Sequence, residues 1–146
     1  MRQDVILDTG PLVAVLNAGD KDHNWAASQW SQINPPFLTC EAVLSEACFL
    51  LRQLEKGQTV VIELLKRGIL DTTFRVDEHV DQISWLLHKY SDVPISLADA
   101  CLVRMTELYP KSTVLTLDSD FKIYRKNRRQ VIPILSPSNS GEISIK

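Results

Sequence analysis

Short apolar runs recur along this chain between stretches of helical spacing, and no hairpin dipeptide such as Asn-Gly joins one run to the next. That alternation constrains the fold more than any other feature. Antiparallel neighbours need only a tight turn, whereas parallel neighbours need a crossover of a dozen or more residues, normally a helix. The runs at 5–7, 37–39, 70–75, 113–117 and 131–134 read as strands. Helices are predicted over 11–17, 21–32 and 41–55, then, after an interruption at Gly57, to about 67, and over 77–90 and 96–108. Asp20, Asp77 and Ser96 stand where caps belong, and Asn34-Pro35-Pro36 and Pro94 break continuity. The order of elements predicts an α/β fold: a three-layer α/β/α domain around a central parallel sheet of about five strands.

At 146 residues the chain is long enough for one domain with its own core, expected over 1–136, followed by a tail, 137–146, that is flexible or docked on a partner. No apolar stretch approaches the roughly 20 residues that span a bilayer, so the expected location is cytoplasmic, with no membrane partner. Cys40, Cys48 and Cys101 lack metal-type spacing and read as buried, reduced thiols, and His23, His79 and His88 are scattered, which argues against structural zinc. A net charge of −2 offers no global attraction to nucleic acid. The distribution is more informative, because Lys122, Arg125, Lys126, Arg128 and Arg129 crowd one stretch with no acidic residue between Phe121 and Ser140. Such a stretch is either a solvated basic loop or a surface for a phosphate backbone.

Four carboxylates stand out by position. In VILDTGPLVAVL, Asp8 closes the first strand, and Asp118 closes the fourth. Ligand sites in open parallel sheets lie beyond the carboxyl ends of the strands, so both would face that edge, Thr9-Gly10-Pro11 forming the turn into the first helix. Glu46 has Val43, Phe49 and Leu50 at helical spacing, and Asp99 has Ile95, Leu102 and Val103, which places a carboxylate on each apolar face. No Lys or Arg lies at matching spacing on those faces. Converging carboxylates repel one another unless protonated or neutralised, and a hard divalent cation does the latter.

The ordered set VILDTG, Glu46 in the helix after strand two, SLADA with Asp99 and TLDSDF after strand four resembles the motifs of the PIN domain, the nuclease fold of VapC-type toxins. The resemblance implies a metal-dependent ribonuclease, using Mg²⁺ or Mn²⁺, whose acidic pocket holds Asp8, Glu46, Asp99 and Asp118. Asp8 and Asp99 are then the principal metal ligands, with Glu46, Asp118 and Asp120 as further candidates, and Thr9 and Thr116 support the carboxylates. The Lys122 to Arg129 stretch becomes a clamp for the RNA substrate, with Tyr124 in it packing or stacking a base. A toxin further implies a cognate antitoxin and a homodimer. Phe49, Leu51, Leu54, Val60, Val61, Leu64 and Leu65 offer apolar surface for a partner helix, or else lie buried in the monomer.

Other readings of Asp-Thr-Gly fare worse. An aspartic protease needs a strand-rich fold, a haloacid-dehalogenase-like enzyme needs Asp where Gly10 stands, and a receiver domain needs an acidic pair before its first helix. The alternatives that remain are a PIN-fold module that binds RNA or protein without cleaving, and a solitary RNA-processing nuclease.

Overall fold

The computed structural model describes residues 3–137. Its elements, in chain order, are β1 (Asp4–Leu7), α1 (Thr9–Leu16), α2 (His23–Gln32), β2 (Phe37–Leu38), α3 (Glu41–Leu50), α4 (Gly57–Lys66), β3 (Leu70–Asp71), α5 (Val80–Lys89), α6 (Leu97–Leu108), β4 (Ser112–Leu115), β5 (Arg125–Lys126), β6 (Gln130–Val131) and β7 (Ile134–Leu135), with 3-10 turns at Val76–Glu78 and Ser119–Lys122. The main sheet has the order β3-β2-β1-β4-β7, and every pairing in it is parallel. Six α-helices accompany five parallel strands among the described residues, which is the α/β/α domain the sequence predicts.

The apolar run at the start is the centre of that sheet. Asp4 to Leu7 pair in register with Ser112 to Leu115, and Ile6 also faces Leu38. Ile6 and Leu7 are wholly buried, as are Leu12, Val43, Ala47, Leu102 and Leu115 from the surrounding elements. Each such aliphatic side chain contributes on the order of 1.5–3 kcal/mol by leaving water. Trp30 of α2 stacks on Phe37 of β2 at a centroid distance of 4.0 Å, covering the sheet where β2 is only two residues long.

Several boundaries differ from the sequence expectation for physical reasons. The first helix begins at Thr9, not residue 11, because the Asp8 side chain caps it by accepting from the Thr9 N–H. Asp20 does not cap α2; its carboxylate accepts from Asp22 N in a tight turn and the helix starts at His23. The third helix ends at Leu50, five residues early, and Gly57 opens α4 rather than interrupting. The third strand stops at Asp71, whose carboxylate turns back to accept from Thr73 N. Asp77 caps nothing, since Arg75 grips its carboxylate with two hydrogen bonds at 3.0 and 2.9 Å, and α5 starts at Val80.

The basic stretch also departs from expectation. It folds as a small antiparallel hairpin, β5 with β6, in which Asn127 and Arg128 supply the positive φ values, 49° and 69°, that a glycine would normally supply. The tail expected over 137–146 lies outside the described residues except for Pro137. No helix among the described residues is long and apolar enough to cross a membrane.

Candidate active site

The strand order reverses beside β1, with β2 on one side and β4 on the other, and the chain leaves both β1 and β4 at the same edge. Crevices in open parallel sheets form at such a switch point. Asp8 N donates to Leu115 O and Thr116 N to Leu135 O, so the backbone ladder runs to the last residue before each loop. Asp8 and Thr116 are therefore fixed side by side by main chain before their side chains meet.

The side chains do meet. The Thr116 hydroxyl donates to Asp8 Oδ2 at 2.7 Å and accepts from Asp118 N at 2.9 Å, while Asp118 Oδ1 accepts from Asp120 N at 2.9 Å. This chain of bonds orders the loop TLDSD around Asp8. From the far wall comes Asp99, in the first turn of α6, where Ser96 caps the helix by accepting from Asp99 N at 3.0 Å. Asp99 thus stands in the first turn of the helix and not in its interior, where the positive helix end favours its charge. Its Oδ2 accepts from the Tyr124 hydroxyl at 3.0 Å.

Asp8, Glu46, Asp99, Asp118 and Asp120 all line one cleft of about 610 Å³, together with Thr9, Gly10, Leu50, Pro94, Ser96 and Leu117. All four carboxylates expected in the pocket are there, with Asp120 as a fifth. Glu46 reaches the cleft from a different setting than its sequence neighbours imply: it is exposed, and Phe49 and Leu50 beside it are 60% and 54% exposed, so this face of α3 is a rim and not a buried stripe. Thr9 supports the site in a different way from Thr116. Its hydroxyl is buried and has no hydrogen-bond partner, whereas its backbone N–H serves Asp8.

Electrostatics follow from this crowding. Asp8 is pushed up from 3.8 to about 6, chiefly by burial; the bonds from Thr116 and Thr9 oppose the shift, and the charges of Asp118 and Glu46 add to it. Asp99 is pushed up to about 7 by burial and then by the charge on Asp8, with the Tyr124 bond opposing. Tyr124, wholly buried, is held above the ordinary phenol range by burial and by Asp99, so it stays a donor. Ion pairs among the described residues join Arg67 to Glu63, Arg75 to Asp77 and Arg104 to Glu107, all away from the cleft. Carboxylates without a cationic partner, beside an unpartnered buried hydroxyl, make a donor set suited to a hard divalent ion. Among the described residues no three such side chains stand close enough together to hold an ion as they are placed.

The basic residues are not part of this cleft. Lys122 and Arg129 are exposed, and Arg125 Nη1 donates to the carbonyls of Lys122, Ile123 and Tyr124. Lys126 is buried, its ammonium donating to Pro110 O, and the Arg128 guanidinium lies 4.5 Å from the Trp85 ring centre. Cys40, Cys48 and Cys101 are free thiols, and Cys48 is only half-buried. Tyr124 packs in the core, as one of its two expected uses, but its bond to Asp99 is a contact the sequence does not announce. Its only signal was an aromatic hydroxyl six residues after Asp118, which does not say that the intervening turn aims it at Asp99.

The chain is similar to known proteins in sequence and in fold. Ribonuclease VapC26 of Mycobacterium tuberculosis is 26% identical over 116 residues, covering 78% of this chain and 86% of that protein. The crystal structure of VapC20 from Mycobacterium tuberculosis, described as a Sarcin-Ricin loop cleaving toxin, matches with a TM-score of 0.75 at 21% identity, covering 89% of this chain and all of that one. The PIN domain family matches residues 5–127, the span from the first strand through the last cleft carboxylate to the basic hairpin, and the chain belongs to that family.

Proposed function

We propose that this chain is a Mg²⁺- or Mn²⁺-dependent endoribonuclease that hydrolyses RNA phosphodiester bonds and is the toxin of a type II toxin–antitoxin pair. One observation carries the reading: Asp8, Glu46, Asp99 and Asp118, from four separate segments, line a single cleft at the switch point of the sheet, and among the described residues no ion pair neutralises them. The similarity to a VapC ribonuclease supports RNA as the substrate class.

Asp8 and Asp99 would hold the ion, and Asp118 and Glu46 would complete the site. When bound, the ion supplies Lewis acidity, making hydroxide accessible near neutral pH and offsetting charge on the phosphate. Thr116 keeps Asp8 Oδ2 and the Asp118 backbone fixed, so those carboxylates need no reorganisation as charge develops. Glu46, exposed on the opposite rim, is free to accept a proton from the attacking water. Thr9 supports Asp8 through its backbone N–H. Of the basic stretch, Lys122, Arg128 and Arg129 present exposed side chains to RNA, whereas Arg125 donates to the carbonyls of the turn before the hairpin and Lys126 to Pro110 O.

The antitoxin would dock on the exposed apolar face of α3 and α4. Leu51 and Val61 belong to the core and Leu64 and Leu65 pack partly against it, which leaves Phe49, Leu50, Leu54, Val60 and Ile62 exposed on and between these helices. Leu50 also lines the cleft, and an amphipathic segment lying there would reach the carboxylates. A homodimer is part of the same proposal, checked by light scattering. The deciding experiment is cleavage of structured and single-stranded RNA with Mg²⁺ or Mn²⁺. Wild-type protein should cut, and EDTA or Asp8→Ala should abolish cutting; equal cleavage by wild type and Asp8→Ala removes the reading.

A further inference from the structure

We propose that Tyr124 is a positioning residue of the acidic cleft, its hydroxyl holding one oxygen of Asp99 so that the other is presented to the metal. The inference rests on the metal-dependent nuclease reading above and adds a residue to it. A carboxylate turns freely about its last torsion, and outer partners are what fix it before an ion arrives. Here the partner is unusually rigid. The Tyr124 ring is wholly buried, with the edges of Tyr90 and Phe121 against it at centroid distances of 5.1 and 5.2 Å. Its backbone N–H donates to Asp120 O at 3.2 Å, which closes the turn that begins at Asp118. One short segment therefore delivers Asp118 to the cleft and, six residues later, clamps Asp99 on the opposite wall. The separation between the two walls is set by that turn.

A buried phenol needs an acceptor wherever it lies, so the bond to Asp99 must be separated from mere satisfaction of a donor. Tyr90 provides the matched comparison. It is also buried, touches the same ring, and bonds through its hydroxyl, but to the backbone N–H of Arg125 and not to a cleft carboxylate. Removing either hydroxyl leaves one buried group unpaired and lowers stability; only one removal frees Asp99.

The test titrates Mn²⁺ alone into the full chain, with free Mn²⁺ read by electron paramagnetic resonance, for wild type, Tyr124→Phe and Tyr90→Phe. Tyr124→Phe should bind Mn²⁺ about tenfold more weakly or worse, and Tyr90→Phe should bind as wild type does although its melting temperature falls. Wild-type affinity in Tyr124→Phe, or equal weakening in both variants, overturns the inference while leaving the nuclease reading intact. A wild-type protein that binds no Mn²⁺ overturns the nuclease reading itself, and this inference with it.

Discussion

Thr116 makes two hydrogen bonds at once, donating to Asp8 Oδ2 and accepting from Asp118 N, and both ends belong to the cleft. Valine has nearly the same shape and neither bond. In Thr116→Val the Asp118 N–H is left without its acceptor and Asp8 loses the donor that opposes its upward shift. An unsatisfied buried group costs on the order of 1–3 kcal/mol, and loss of a carboxylate's outer partner typically costs 10–100-fold in metal affinity or activity, about tenfold being the least expected here. Denaturant melts and Mn²⁺ titrations of the same preparation measure the two effects; a variant with full affinity would show that Asp8 is held by its backbone alone. At this scale the sequence was largely legible. Asp8, Asp99 and Asp118 could be picked out because each stood without a matching cation near strand ends or apolar neighbours. Tyr124 could not, because its reach to Asp99 exists only after the intervening turn has formed.

Between residues and the whole, the entry to α4 shows how close packing decides a boundary. A Cβ placed on Gly57 would lie 2.3 Å from Leu51 O, a backbone atom that cannot swing aside, and Lys56 before it already holds a φ of 62°. Gly57→Ala must therefore move α4 against α3, with a cost of about 1–3 kcal/mol as in other overpacked sites, read as a lower melting temperature. Because Phe49, Leu50, Val60 and Ile62 flank this junction, the same shift disturbs the proposed antitoxin face. If the substitution leaves melting unchanged, the two helices meet less tightly than their geometry requires. Periodicity gave the sequence reading its helices and parallel strands, but it misjudged where they stop. Arg75 and Asp77 prefer each other to a capping role, and Asp71 turns its carboxylate into the next loop. The β5–β6 hairpin was hidden because Asn127 and Arg128 adopt the conformation for which glycine is the usual signal.

Across the whole molecule, the core and the cleft pull in opposite directions. Ile6, Leu7, Leu102 and Leu115 are wholly buried in one continuous apolar core that packs on the central sheet. The cleft then charges that core a penalty: Asp8 sits at about 6 and Asp99 at about 7 when folded, against 3.8 for an ordinary aspartate. A carboxyl whose folded pKa is raised favours the folded state below its unfolded pKa and loses that advantage as pH rises through the folded value. Without metal, stability should therefore fall between about pH 4 and pH 7, Asp8 alone accounting for roughly 3 kcal/mol. Asp8→Asn should flatten the part of the decline below about pH 6. Under the proposed function metal would reverse the sign, because it would bind only the ionised pair and release their protons on binding. Mn²⁺ affinity should then rise with pH, with a slope near two protons below about pH 6 and approaching zero above pH 7, and saturating Mn²⁺ should raise the melting temperature most at neutral pH. Calorimetric titration in two buffers of different ionisation enthalpy counts the protons directly. Affinity that stays flat from about pH 5.5 to 8 would mean that Asp8 and Asp99 are not the residues that take up the ion.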